Sequence, residues 1–285
     1  MTLLLPTDWA AAWQAQVAAE HAQFDALADP QARPGADWWS SQAARFHSSA
    51  RQSLQPDTFL ASVLPAIQPG TRLLDVGAGT GRYAVPLARA GAVVTAVEPS
   101  DSMVHYLEQY VAEEQVQVQV VRDHWETADV PPADVVICAH VLYPIADGAS
   151  FLQKLDQHTL HQCFLCLGFE SPNVWLMPFW RAIYDVERLH LPGAIPALAL
   201  LHQLGIDAQF TPIAPINTLH FADLEEALVD VRIRLCLQPD ATRDERLRML
   251  LRAHMQRDPD GGWRPIQPQR MVVISWTKHE QTALH

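Results

Sequence analysis

The sequence has no apolar stretch long enough to span a bilayer; the richest, near Ala194–Leu204, is closed by Gln203 and Asp207. Its start, Met-Thr-Leu-Leu-Leu-Pro, lacks the basic region and long apolar core of a secretory leader, so a cytoplasmic location is expected and no membrane partner. Cysteine is scarce: Cys138, Cys163, Cys166 and Cys236 are all there is. Cys163 and Cys166 have Cys-x-x-Cys spacing, but no second pair completes a zinc site. They also sit in an apolar run resembling a buried strand, where residues three apart point to opposite faces. They are expected to be small buried hydrophobes, and no metal site is expected. Positive charge is also short, with 20 Lys and Arg against 32 Asp and Glu, a net charge of -12. Such a field repels phosphate backbones and anionic lipid, which makes a nucleic-acid partner unlikely. The one basic concentration, Arg232, Arg234, Arg243, Arg246, Arg248 and Arg252, is interleaved with Asp240, Asp244 and Glu245 and reads as a solvated helix face. No 20–50-residue repeat is visible. The oligomeric state is left open.

What the chain does have is 285 residues at 49% hydrophobic and 18% charged, enough for a large α/β core. Helical patterns cover residues 7–28, Trp38 to about Leu54, and Asp57–Ile67, with Pro30–Ala36 between the first two. Strand candidates follow at Arg72–Val76, Val93–Glu98, Val116–Val121, Asp134–Ala139, Cys163–Phe169, Asp207–Ile213 and Arg270–Lys278. Helices are expected at Tyr83–Ala90, Met103–Glu114, Gly148–Gln157, Asn173–His190, Ile195–Leu204, Ala222–Leu237 and Thr242–Gln256, with a turn at Asp258–Gly262. Short apolar strands alternating with helices predict an α/β fold: a Rossmann-like, seven-stranded, mostly parallel sheet with helices on both faces. Residues 1–69 form a helical N-terminal cap or extension and 70–285 the main domain. Helical insertions are placed at about 171–205, after the fifth strand, and 218–262, before the last.

The loop between the first strand and its helix carries the chemistry. Gly77, Gly79 and Gly81 permit positive φ and close approach of backbone N–H groups to a ligand. A dinucleotide loop needs a third glycine where Arg82 stands, and a P-loop needs Gly-Lys-Ser/Thr, which is absent. Asp75, two residues before the first glycine, would repel a pyrophosphate yet suits a cationic amino-acid ligand. Glu98, ending the second strand, is positioned to accept from ribose hydroxyls. A ligand with a ribose, no phosphate and a positive charge matches S-adenosylmethionine better than NAD or ATP.

The run Leu-Asp-Val-Gly-Ala-Gly-Thr-Gly, followed by Val-Glu-Pro-Ser, resembles the class I S-adenosylmethionine-dependent methyltransferases from about Gly70 through Phe169, and more loosely to the final strand. The resemblance implies S-adenosyl-L-methionine as cofactor. Asp75, Gly77, Gly79 and Gly81 would surround its methionine part. Glu98 would hold the ribose, and Pro99, Ser100 and Met103 would flank the adenine. Asp123 would accept from the adenine amino group, with His124 and Trp125 beside it. His140, in the segment after the fourth strand, would line the methionine end and the acceptor. The family's Pro-Gly-Gly turn before the fifth strand is replaced here by His158–Gln162, far from the cofactor.

Methyl transfer from a sulfonium needs alignment and exclusion of water. A general base is required only if the acceptor keeps its proton. His140 is the candidate base and Tyr143 a candidate hydrogen-bond partner of the acceptor. The Asn/Asp-Pro-Pro-Tyr/Phe signature of base amino methyltransferases and the Pro-Cys nucleophile of cytosine-C5 enzymes are both absent. A small-molecule acceptor is therefore expected, with Trp38, Trp39, Phe46, Trp175, Phe179, Trp180 and Tyr184 available as apolar walls. Two alternatives stay open: a catalytically silent S-adenosylmethionine-binding protein, and a protein or RNA methyltransferase acting with a partner.

Overall fold

A computed structural model describes residues 8–33, 37–52, 57–215, 219–258 and 261–278; the side chains of residues 38, 41 and 49–52 are outside that description. Trp38 as a pocket wall, the helix end near Leu54, and Pro259 and Asp260 of the expected turn therefore lie outside the described residues.

Helix α1 (Trp9–Leu27) is capped by Asp8, whose carboxylate accepts from the N–H groups of Ala10 and Ala11. A short 3-10 turn at Trp38–Ser41 leads into α2 (Ala43–Gln52), and α3 (Thr58–Val63) follows. Strands β1 (Arg72–Val76), β2 (Val93–Val97), β3 (Val118–Val121), β4 (Ala133–Ala139) and β5 (Thr159–Gly168) alternate with α4 (Ala84–Arg89), α5 (Asp101–Glu114) and α6 (Gly148–His158). Then come α7 (Met177–Tyr184), α8 (Ala194–Gln203), β6 (Gln209–Ile213), α9 (Leu224–Arg234), α10 (Ala241–His254), a small hairpin β7 (Met255–Arg257) and β8 (Trp263–Pro265), and β9 (Met271–Thr277).

The main sheet has seven strands in the order β3-β2-β1-β4-β5-β9-β6. β1 to β5 pair in parallel, while β9 runs antiparallel to both β5 and β6. The expected Rossmann-like sheet is thus present, and β9 is slotted between two strands that precede it. Helices cover both faces. On one, Leu74, Val76, Val136 and Cys163 pack with Trp13 and Val17 of α1, Phe151 and Leu155 of α6, and Leu200 of α8. On the other, Leu73, Val94, Ile137 and Cys166 pack with Phe59 of α3, Leu87 of α4 and Leu107 of α5. Cys163 and Cys166 therefore face opposite sides, as strand geometry requires, and all four cysteines are buried free thiols.

A third core lies outside the sheet. Phe179 and Trp180 of α7, Leu228 and Val231 of α9, and Leu247 and Leu251 of α10 are all buried together, so α7 of the first insertion and the helices of the second share one helical cap, while α8 packs on the sheet. α7 is shorter than the Asn173–His190 helix expected. It ends at Tyr184, where Asp185 adopts a left-handed φ of 56°. The arginine-rich stretch is only partly the solvated face expected. Arg248 reaches Glu225 and Glu245 at the surface, whereas Arg234 is drawn inward onto buried Asp230 at 2.7 Å.

Gly148 opens α6 directly beneath Trp13, whose indole Nε1 donates to the Ile145 carbonyl at 2.8 Å. A Cβ at residue 148 would overlap that indole. Gly148→Ala is expected to destabilise the protein by about 1–3 kcal/mol through overpacking, even though alanine favours helix by up to about 1 kcal/mol. A melting temperature equal to or above the parent's would contradict this packing.

Candidate functional site

The site forms where β1, β2 and β4 end. The backbone leaves β1 with the N–H groups of Gly77 and Ala78 both donating to the Val97 carbonyl, at 2.8 and 3.1 Å. Gly77, Gly79 and Gly81 then take φ of 73°, 56° and 86°, a left-handed run that residues with a Cβ adopt at a cost. The three differ in what surrounds them. A Cβ on Gly77 would strike Val141 and one on Gly81 would strike Leu107, while Gly79 faces open space.

Two acidic side chains frame this loop. Glu98 is buried and accepts from Gly79 N–H through Oε2 at 2.8 Å and from Ser100 N–H through Oε1 at 2.9 Å. Each carboxylate oxygen retains a lone pair, so Glu98 joins two loops and can still accept from hydroxyl groups. Asp75 is 1% exposed; it accepts from the backbone N–H of Ala84, and its Oδ2 has no hydrogen-bond partner. An orphaned buried carboxylate oxygen calls for a donor from outside the chain. Burial, and then the charge of Glu98, pushes the Asp75 carboxyl up to about 7. Burial also raises Glu98.

These residues fit S-adenosylmethionine, with its ammonium, sulfonium and ribose diol. Asp75 must ionise to receive a cation, so cofactor affinity is expected to rise roughly tenfold between about pH 5.5 and about pH 7. The ligand's amino group stays protonated across that window. Glu98, shifted in the same direction, adds to the effect. Ligand-free stability runs the opposite way: the contribution from Asp75 is complete below its unfolded value and is lost as pH rises through about 7. Calorimetry at both pH values, with Asp75→Asn as the control that flattens the profile, tests the assignment.

The residues expected beside the adenine are mixed. Pro99 is exposed, Ser100 and Met103 are buried at the start of α5, and His124 is exposed. Asp123 is half-buried, its Oδ1 accepting from His124 N–H and Thr127 Oγ. Trp125 departs from expectation. It is 3% exposed in the sheet core, its ring packed edge-on to Phe151 and under the Lys154 ammonium, so the indole is unavailable as an adenine wall.

His140 stands just past β4 with a φ of 64°, uncommon for a residue with a Cβ. Its ring is held at Nδ1, 3.3 Å from the Tyr143 hydroxyl, and its enclosed Nε2 has no partner. Burial, then the Arg82 charge, lowers it to about 4, so the ring is neutral near pH 7. Tyr143 is not a direct contact of an acceptor: it is 2% exposed, and its oxygen accepts from Gly168 N–H at 2.5 Å. Its hydroxyl is the contact that holds the His140 ring.

Three contacts were not foreseen from the sequence. Asp37 accepts from Ser100 Oγ at 2.9 Å and Ser102 N–H at 3.3 Å, tying the N-terminal segment to the loop after β2. Asp57 caps α3 through Oδ1 and receives Arg82 Nε at 2.9 Å on Oδ2. Trp13, through Ile145, ties the loop after β4. An aspartate preceding a helical run was a readable capping signal in the first two cases; its distant partner was not. The expected aromatic walls fare differently. Phe179 and Trp180 are core of the cap, Trp175 and Tyr184 pack against it, and Trp39 meets Phe46 edge-on nearer the surface. Among the described residues no cluster of His, Cys, Asp or Glu could hold a metal, and no helix is long and apolar enough to cross a membrane.

A family model described as a methyltransferase domain matches residues 73–160. A ubiquinone biosynthesis O-methyltransferase of Alkalilimnicola ehrlichii is 31% identical over 176 residues, covering 60% of this chain and 67% of that protein. Two other curated relatives are matched over 13% and 34% of their own length. Among solved structures, the Synechocystis magnesium protoporphyrin IX methyltransferase with bound S-adenosylhomocysteine superposes with a TM-score of 0.56 at 14% identity, covering 85% of this chain and 97% of that one. YcgJ of Bacillus subtilis gives 0.53 at 15% identity, covering 78% and 99%.

Proposed function

We propose that this chain, which belongs to the class I S-adenosylmethionine-dependent methyltransferases, methylates a small molecule held beneath its N-terminal segment. The observation that carries this reading is the way the N-terminal segment ties down the loops at the carboxyl ends of β1, β2 and β4, through Asp57–Arg82, Asp37–Ser100 and Trp13–Ile145. Loops tied in this way favour an acceptor small enough to enter between them over one docked across them. A net charge of -12 further disfavours nucleic acid.

The cofactor supplies an electrophilic methyl group on a sulfonium. The chain's residues have to hold it in line with the acceptor and keep water out. Glu98 fixes both the glycine loop and the loop after β2, and Asp75 offers a buried carboxylate to the cationic end. His140 is the residue for the acceptor's heteroatom, because its Nε2 is enclosed and unpartnered. Tyr143 receives the Gly168 N–H and lies 3.3 Å from Nδ1 of His140, where the direction of the bond follows the His140 tautomer. With Nδ1 accepting the Tyr143 proton, the Nε2 proton donates to the acceptor; with Nδ1 protonated, Nε2 is the base for an acceptor hydroxyl.

Calorimetry with S-adenosylmethionine and S-adenosylhomocysteine, followed by S-adenosylhomocysteine release across phenols, amines, thiols and carboxylic acids, tests the reading. Turnover on small molecules is the expected result. Turnover confined to RNA or protein fractions would sink it.

A further inference from the structure

Helix α2 touches both the cofactor half of the molecule and the helical cap. On the cofactor side, the His47 ring stacks on Tyr106 of α5 at 5.0 Å and meets Tyr110 edge-on at 6.0 Å. On the cap side, Arg45 pairs with Asp230 of α9 at 2.8 Å, both side chains largely buried. Its guanidinium also lies over the ring of Phe221, a core residue of the cap, at 5.3 Å. Arg234 shares Asp230, and Glu226 offsets the second guanidinium, so the charges balance. A buried pair of this kind resists separation, because withdrawing either partner strands a charge.

The other end of the same segment is fastened to the cofactor loops. Asp37 caps the 3-10 turn Trp38–Ser41, which runs through Gln42 into α2. Its Oδ1 accepts from Trp39 N–H at 3.0 Å, and both its oxygens lie 2.9 Å from Ser100 Oγ. The Ser100 hydroxyl has one proton to give and itself accepts from Met103 N–H at 3.2 Å. Ser100 N–H, meanwhile, donates to Glu98 Oε1. Two carboxylates therefore meet on one serine, one through its hydroxyl and the other through its amide.

These like charges oppose each other. Against the penalty of burial, hydrogen bonds from Ser102 and Ser100 hold the Asp37 carboxyl below its ordinary value. Burial raises Glu98, and the Asp37 charge raises it further. Ribose hydroxyls donating to Glu98, together with the positive charge of a sulfonium, would relieve that repulsion. Cofactor occupancy then favours the state in which Asp37 grips Ser100, by as much as its affinity differs between the gripped and released states.

We propose that residues 37–52 form a strap that carries cofactor occupancy to the helical cap, with Asp37 and Arg45 as the positioning residues at its two ends. The inference goes beyond the small-molecule reading above, since it rests on the cofactor site alone and holds whatever the acceptor is.

Hydrogen exchange of the full chain with and without saturating S-adenosylhomocysteine, read over residues 224–254, tests the strap. The ligand is expected to slow exchange there about fivefold or more, the lower end of ordinary couplings between sites. Asp37→Asn keeps an acceptor for Trp39 N–H and the Ser100 hydroxyl but removes the charge that opposes Glu98. Its cap is expected to be protected already without ligand, which then adds less than about twofold. Asp37→Ala removes the grip: S-adenosylhomocysteine is expected to bind, and the cap to keep its ligand-free exchange rate. Coupling is reciprocal, so Arg45→Met, which leaves Asp230 its pair with Arg234, is expected to weaken S-adenosylhomocysteine about fivefold by calorimetry. A parent cap indifferent to the ligand, full protection in Asp37→Ala, faster ligand-free exchange in Asp37→Asn than in the parent, or unchanged affinity in Arg45→Met would each overturn the proposal. Turnover confined to RNA or protein would instead overturn the small-molecule reading and leave the strap in place.

Discussion

Glu98→Gln is expected to reduce S-adenosylhomocysteine affinity by about a hundredfold, or roughly 2.7 kcal/mol. The replacement has the same shape, so packing is unaffected, and the loss is electronic. Glu98 meets the backbone N–H of Gly79 on one oxygen and that of Ser100 on the other, at 2.8 and 2.9 Å. An amide turns one of those contacts into a donor facing a donor, leaving a buried group unsatisfied at about 1–3 kcal/mol. It also removes half the acceptor capacity offered to the ribose. Calorimetry on a variant with an unchanged circular-dichroism spectrum is the measurement. A change of less than about threefold would show that Glu98 serves the loop alone and not the ligand.

Trp180→Ala is expected to cost about 3–5 kcal/mol, the range for emptying a large buried aromatic site. The loss should be localised to the cap. Trp180 is fully buried, stacks on Phe24 of α1 at 6.0 Å, meets Tyr184 at a tilt at 4.4 Å, and lies under the Arg188 guanidinium at 4.7 Å. Arg188 in turn makes a buried pair with Glu20 of α1 at 2.7 Å. The ring therefore joins the insertion to the N-terminal helix without touching the sheet's own cores. Denaturant unfolding should show the destabilisation, while S-adenosylhomocysteine still binds and turnover falls. Loss of cofactor binding in step with stability would mean that cap and sheet unfold as one unit.

Much of this architecture was legible in the sequence because it is locally encoded. Short Val- and Leu-rich runs locate six of the seven main strands within a few residues. The seventh, β5, starts four residues earlier than expected, at Thr159. Gly77, Gly79 and Gly81 advertise a backbone that only glycine adopts without strain. Long-range pairing is another matter. Asp37 and Ser100 are 63 residues apart, and Asp57 and Arg82 are 25 apart; nothing local to either carboxylate names its partner. Nor does a run of aromatic residues reveal whether it walls a pocket or fills a core. Phe179 and Trp180 proved to be core because α9 and α10, more than forty residues on, cover them. Trp125 read as a ligand contact for the same reason: its burial depends on α6, which comes later.

The position of β9 has a consequence for how the protein is made. Six of the main strands leave the ribosome first, yet β5 and β6 have no contact with each other until Met271–Thr277 arrives between them. During synthesis β5 is an exposed apolar edge for the time needed to translate about a hundred residues, including both insertions. Such an edge invites pairing with other nascent chains. Folding of this half of the sheet is therefore a late, non-local event, and expression at low temperature or with abundant holdase chaperones should raise the soluble yield more than it does for folds that close strand by strand.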